Sequence, residues 1–355
     1  MGVLIIMSSK LKSIAERKKH WCSFLDMNSD TKHVFQVNLY KDIDSRRPLP
    51  WKSLKKERIK WILENYNARL EAIEWLNDDS IPYIDMLTGT EIFAEAFGCE
   101  VYRPSDNMPF ARPLIQEAKK VSKLKIPDLW NSSLTYLFEM ADELKAKAGL
   151  DAILRMVDIQ SPLDIAALIW EKSEFYVAFI EEPEAVRELA AKVNVLLTQF
   201  VDEWFKRYGK EFIAHYPNYY MPHGLTLSED EIGVVSPATF NEFFLPELTE
   251  LSIRYGGLGI HCCADSMHQW SNFKKIPELK ILNFGRPDDQ LLLTYKKFET
   301  HTAQIPSKIF DGLNPEVWID TLPKKAHIAI EVNAKDKKEA IMICDKLNTS
   351  RFTCL

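Results

Sequence analysis

The residues best placed to do chemistry sit in one short stretch, Gly256 to Ser266. Two glycines lead into Leu258-Gly259-Ile260, and His261-Cys262-Cys263-Ala264-Asp265 follows. The pattern predicts a buried strand that delivers polar side chains at its carboxyl end. Side chains alternate along a strand, so His261 and Cys263 share one face and Cys262 takes the other. A neutral imidazole and a thiolate two residues apart make half of a tetrahedral site for a borderline metal such as zinc. The same residues also fit a core histidine beside two small buried thiols, and the pair alone does not decide between the two.

Other reactive groups stand where strands are expected to end. They are Asp85, Asp158 with Gln160, His223 with Asp230 and Glu231, Asn283 with Arg286, Asp311, and Glu331 with Asn333. Each has a plainer use. An aspartate after a strand is often a turn residue, and Arg286 and Glu231 fit solvated loop positions. Convergence from separate strand ends is what carries weight, because a βα barrel collects its site there. The aromatic run Tyr216 to His223 fits an apolar wall for a planar or methylated ligand, or simple packing at the rim.

The elements that must position these groups alternate. Ile81–Leu87, Ala152–Val157, the Gly256–His261 stretch, Leu279–Phe284, Ile305–Asp311 and His327–Val332 read as strands, with helical patterns between them. Pro217 to Leu227 reads as extended. Ser161 and Pro162 suit the N-cap and first position of a helix. About seven strands in βα alternation predict a (β/α)8 TIM barrel with one strand unrecognised. An open doubly wound sheet is the alternative, but its Gly-x-Gly-x-x-Gly turn is missing. Residues 1–78 read as an N-terminal helical extension, polar and irregular between Asn28 and Pro50, and residues 79–355 as a single catalytic barrel.

Composition fits this class. Of 355 residues 46% are hydrophobic and 27% charged, and the net charge is -6 with no basic block. That excludes a disordered chain and argues against a nucleic-acid surface. Six scattered cysteines predict reduced thiols in the cytoplasm. The apolar start Met1–Met7 is too short for a secretory core, and no apolar run reaches the roughly 18 residues of a membrane span.

The segments together resemble the uroporphyrinogen decarboxylase superfamily, from about Ile81 to Leu347. The resemblance is carried by Ile84-Asp85-Met86-Leu87 before Ala94–Val101, and by Gln160–Ala166 before Glu182–Val186. Its most specific part is Val235-Ser236-Pro237-Ala238-Thr239-Phe240-Asn241-Glu242-Phe243-Phe244-Leu245-Pro246 followed by Gly259–Cys263. The family pattern ends its strand in His-x-Cys-Gly; here Ala264 stands for the glycine. The resemblance implies a barrel with N-terminal helices and one of two activities. In the corrinoid-linked methyltransferase branch His-x-Cys and a later cysteine hold zinc, which activates a thiol; His261 and Cys263 match, and cobalamin would come on a separate partner protein. No later Gly-Cys turn follows the last strand. Cys344 reads as packing, Cys354 lies on the tail, and Glu331 and Asp230 offer oxygen ligands instead. In the decarboxylase branch a metal-free reaction would rest on Asp85, yet the arginine-rich segment Phe-x-Arg-Gln-Ala-Gly-Arg that binds a porphyrin precursor is missing. Asp85 and Asp230 are thus the expected catalytic residues, with Gln160, His223, Arg286 and Glu331 binding substrate. A binding barrel without activity remains a third reading, because fold does not fix function.

Overall fold

His33-Val34-Phe35-Gln36-Val37-Asn38-Leu39 is rich in β-branched and aromatic residues, and Val34, Phe35 and Val37 are all buried. Both faces of this segment are therefore covered, as in a strand of a parallel sheet. It forms β1 (His33–Leu39). The computed structural model describes residues 11–39, 47–311 and 319–350. Helices α1 (Ile14–Leu25) and α2 (Lys55–Ile73) flank β1 and give the amino-terminal region its helical character. The expectation of an irregular chain between Asn28 and Pro50 is corrected here. The polar residues around β1 masked a short strand whose apolar core is only three residues.

Apart from a short antiparallel pair, Val101–Tyr102 with Phe110–Ala111, the remaining strands are β2 (Tyr83–Ile84), β3 (Ile153–Leu154), β4 (Phe212–Ile213), β5 (Tyr220–Met221), β6 (Leu225–Ser228), β7 (Leu258–Cys262), β8 (Leu279–Phe284), β9 (Ala303–Gln304), β10 (Ile309–Asp311) and β11 (Ile328–Ala334). A parallel sheet runs β1-β11-β9-β8-β7-β6, with β10 also on β11. Strand β2 pairs in parallel with β3. Parallel bridges from Arg155 to Ile213 and from Gln160 to Ser228 carry the pairing on to β4 and β6. The result is an α/β barrel. Ser161 caps helix α3 (Pro162–Ile169) through the Asp164 N–H, with Pro162 in its first turn. The long α4 (Pro183–Tyr208) buries Val186, Leu189, Val193, Leu196 and Phe200 against the outside of the barrel. On β7, Gly259 leaves room for the buried Tyr219 hydroxyl, which any side chain there would strike. No helix among the described residues is long and apolar enough to cross a membrane.

Between β1 and β2 the circle is completed by side chains. The Phe35 N–H donates to Asp79 Oδ2 at 2.9 Å and the Val37 N–H to Asp78 Oδ2 at 2.9 Å. The Asp79 N–H returns a bond to the Phe35 carbonyl at 2.8 Å. Asp78 also pairs with Arg17 of α1 at 2.6 Å, and both side chains are fully buried. Removing one partner of a buried pair leaves the other uncompensated. Asp78→Ala should therefore destabilise the protein by about 3–5 kcal/mol, read as a lower urea midpoint, whereas Asp78→Asn, which keeps an acceptor for Val37, should lose less.

Candidate functional site

A cavity of about 280 Å³ opens at the carboxyl ends of the strands. Asp85, Arg155, Asp158, Gln160, His215, Ser228, Asp230 and His261 line it, with Arg47, Met108 and Tyr216 nearer its mouth. Three donors converge on one wall. A nitrogen of His261, the Cys263 sulfur and an Asp230 carboxylate oxygen all lie within 4.8 Å of one another. No other group of three histidine, cysteine or acidic side chains comes together this way among the described residues.

Each member is positioned by its neighbours. His261 lies on β7 and is paired across the sheet with Asn283 of β8. Its Nδ1 lies 2.5 Å from Asn283 Oδ1. The Asn283 amide nitrogen donates to the Ile305 carbonyl, so its oxygen must face the histidine. Nδ1 therefore carries the proton and Nε2 keeps its lone pair. Burial, the largest influence, pushes the imidazole below its ordinary pKa and keeps it neutral. Cys263 follows the end of β7, beside Gly285 of the next loop, whose missing Cβ would lie 3.0 Å from that of Cys263. The Cys263 N–H donates to Asp230 Oδ1 at 2.6 Å and its S–H to Asp230 Oδ2 at 3.2 Å. Asp230 sits in the loop after β6, and Asp164 Oδ2 accepts its N–H at 2.7 Å. Cys262 points the other way, fully buried near Ser266.

Across the cavity, Asp85 after β2 pairs with Arg155 at 2.7 Å and accepts the Leu87 N–H at 2.9 Å. Burial works against its charge, but Arg155 and then Arg69 outweigh it and hold the carboxyl below its ordinary value. Gln160 lines the cavity, and its buried Oε1 has no hydrogen-bond partner among the described residues. His215 Nε2 is hydrogen-bonded to Ser228 Oγ at 3.2 Å and lies 3.1 Å from Asp158 Oδ1.

The other expected site residues lie elsewhere. His223 belongs to the turn before β6, next to Gly256, at the opposite end of the barrel. The extended run from Pro217 is broken there: β5 descends antiparallel to β4, and the chain turns at His223-Gly224 before β6 rises. Arg286 bonds Asp265 and Gln290, tying two loops together outside the cavity lining. Glu331 lies within β11, in register with Gln36, and burial alone raises it to about 7; it does not line the cavity. Asp311 ends β10. Cys344 is buried on the helix Lys337–Ser350, and Cys354 lies outside the described residues. His215 was missed by sequence reasoning. It sits just before the aromatic run, and only its place after β4 would have marked it.

Fold and cavity together define a βα-barrel protein with a polar site at its strand ends. The uroporphyrinogen decarboxylase (URO-D) family model matches residues 76–290, and the chain belongs to that family. Among solved structures a methyltransferase from Methanosarcina mazei is similar in fold, with a TM-score of 0.65 at 12% identity over 94% of this chain and 99% of that one. No curated protein matches the chain.

Desolvation first, and then Asp230, push the Cys263 thiol up to about 11 in the absence of metal. Chelator-treated protein should thus alkylate slowly at Cys263 at pH 7. The rate should rise about tenfold per pH unit below that value, because the thiolate is the nucleophile. Asp230→Asn should speed it. Peptide mapping by mass spectrometry, which separates Cys263 from the exposed Cys22, reads both effects.

Proposed function

We propose that the protein is a zinc-dependent methyltransferase, moving a methyl group between a small methylated substrate or thiol and a separate corrinoid protein. The observation that carries this reading is the donor set of Asp230, His261 and Cys263. Oxygen, nitrogen and sulfur donors of this kind suit zinc. Three protein ligands leave a fourth position, as catalytic zinc sites do. The Asn283 bond to Nδ1 gives His261 the tautomer that a ligating Nε2 requires. Asp230 then supplies the oxygen where the family pattern has a later cysteine.

His261 would hold the ion through Nε2, Cys263 through its sulfur and Asp230 through a carboxylate oxygen. Bound zinc lowers the pKa of a thiol and keeps it as a thiolate, the nucleophile for methyl transfer. The chain's own residues do the rest. Gln160 offers an unpaired acceptor, and the Asp85–Arg155 pair presents a fixed dipole on the far wall. Tyr216 and Met108, both exposed, add apolar surface to the cavity lining. The cavity of about 280 Å³ is at the small end for ligand pockets, which run from roughly 300 Å³ upward. That size favours a small substrate over a tetrapyrrole. It weakens the metal-free decarboxylase reading, as does Asp85, whose carboxylate is already engaged by Arg155. A cytoplasmic setting would keep Cys263 reduced.

Elemental analysis tests the proposal. Protein purified without chelator from zinc-replete cells should carry about one zinc per chain. His261→Ala and Cys263→Ala should abolish it, and Asn283→Ala should weaken zinc affinity by about 10–100-fold. A wild-type protein without zinc would sink the reading.

A further inference from the structure

The loop after β9 reads Ile305-Pro306-Ser307. It grips one side chain at both ends. Asn283 Nδ2 donates to the Ile305 carbonyl at 2.5 Å, and the Ser307 hydroxyl meets Asn283 Oδ1 at 3.1 Å. The same oxygen lies 2.5 Å from His261 Nδ1. The direction of each bond is forced. A carbonyl only accepts, so the amide atom that meets Ile305 is the nitrogen, and the amide oxygen has two lone pairs to offer on the other side. The Ser307 hydroxyl and the His261 ring must both donate to them. With the amide turned over, its oxygen would face the Ile305 carbonyl, an acceptor against an acceptor in a side chain that is 1% exposed. The gripping loop is itself fixed. The Ile305 N–H donates to the Leu282 carbonyl of β8 at 2.9 Å, one residue before Asn283. The Pro306 ring sets φ between the two gripping groups. Lys308 pairs with Asp288 at 2.5 Å and ties the loop to the helix Asp288–Phe298.

We infer that Ser307 is a positioning residue for the Asp230–His261–Cys263 triad: through the Asn283 amide it holds His261 with the proton on Nδ1 and leaves Nε2 as the ligand atom. That Nε2 then holds zinc rests on the methyl-transfer reading; the tautomer does not. The terminal torsion of an asparagine is soft, with two broad wells. A single bond to Ile305 leaves the amide room to swing, and a second bond at its other end removes that room. Ser307 is exposed and does not line the cavity, so it acts on the triad only through Asn283. An outer partner of this kind sets which nitrogen of a histidine meets a metal.

Nitrogen NMR of histidine-labelled, chelator-treated protein reads the tautomer without any metal. His261 should be protonated at Nδ1 and bare at Nε2 in wild type and in Ser307→Thr, which keeps the hydroxyl. In Ser307→Ala it should become a mixture of both forms. A wild-type His261 protonated at Nε2 overturns the inference, and so does a Ser307→Ala spectrum identical to wild type. Competition with a fluorescent zinc chelator reads the consequence. Ser307→Ala should weaken zinc binding about tenfold, the low end for partners behind a metal ligand, and Ser307→Thr should bind as wild type does. In an Asn283→Ala background the same Ser307→Ala change should cost nothing further, because its effect passes through the amide. An additive loss there, or an unchanged or tighter zinc constant in the single variant, overturns the inference. The exposed position of Ser307 keeps the thermal midpoint where it is in wild type. If wild type binds no zinc, the methyl-transfer reading fails and the NMR spectra alone decide the role of Ser307.

Discussion

One buried carboxylate holds the candidate site together. Asp164 accepts the N–H of Asp230 at 2.7 Å and of Glu231 at 3.0 Å. It stands in the first turn of α3, where Ser161 caps its own N–H. The start of a helix on one βα unit thus anchors the loop of another. Burial pushes the Asp164 carboxyl up, and the neighbouring Glu231 adds to this, while the Asp230 N–H favours the charged form. Glu231 is in turn drawn outward by the Tyr176 hydroxyl and by Lys172. With the loop so held, the Asp230 side chain reaches across to Cys263 instead of turning to solvent.

The two cavity histidines are held by different partners. An amide whose orientation is dictated by the Ile305 carbonyl fixes His261 with its proton on Nδ1. His215 bonds Ser228 Oγ at 3.2 Å, with Asp158 Oδ1 3.1 Å from the same nitrogen. Both arrangements depend on parallel strands in register, Ser228 with His261 and His261 with Asn283. A slip of one residue would turn either side chain to the outside of the barrel.

The barrel was legible because parallel strands buried on both faces read as apolar runs between helical patterns, and the β7 stretch did so most clearly. The face shared by His261 and Cys263 followed from strand alternation, and it holds. Strand β1 was lost because its three core residues lie among polar ones, and its amides are answered partly by Asp78 and Asp79, some forty residues on. No local pattern announces a partner of that kind. His223 was misplaced for a related reason. A run of extended residues does not show its reversal of direction, and the turn at Gly224, with φ of +105°, separates it from the strand end. His215 went unnoticed because a two-residue strand such as β4 has almost no periodicity. Asp230 stood among the candidate oxygen ligands, but only the fold brings it next to Cys263.

Where the family pattern has glycine after His-x-Cys, this chain has Ala264, and the space for its methyl group comes from Gly233 in the loop after β6. A Cβ on Gly233 would lie 2.6 Å from that of Ala264. The two positions, 31 residues apart, therefore share a volume that admits one methyl group and not two. Size at one is owed to its absence at the other. A relative with glycine at the first position gains freedom at the second, and the two identities are expected to change together along a lineage.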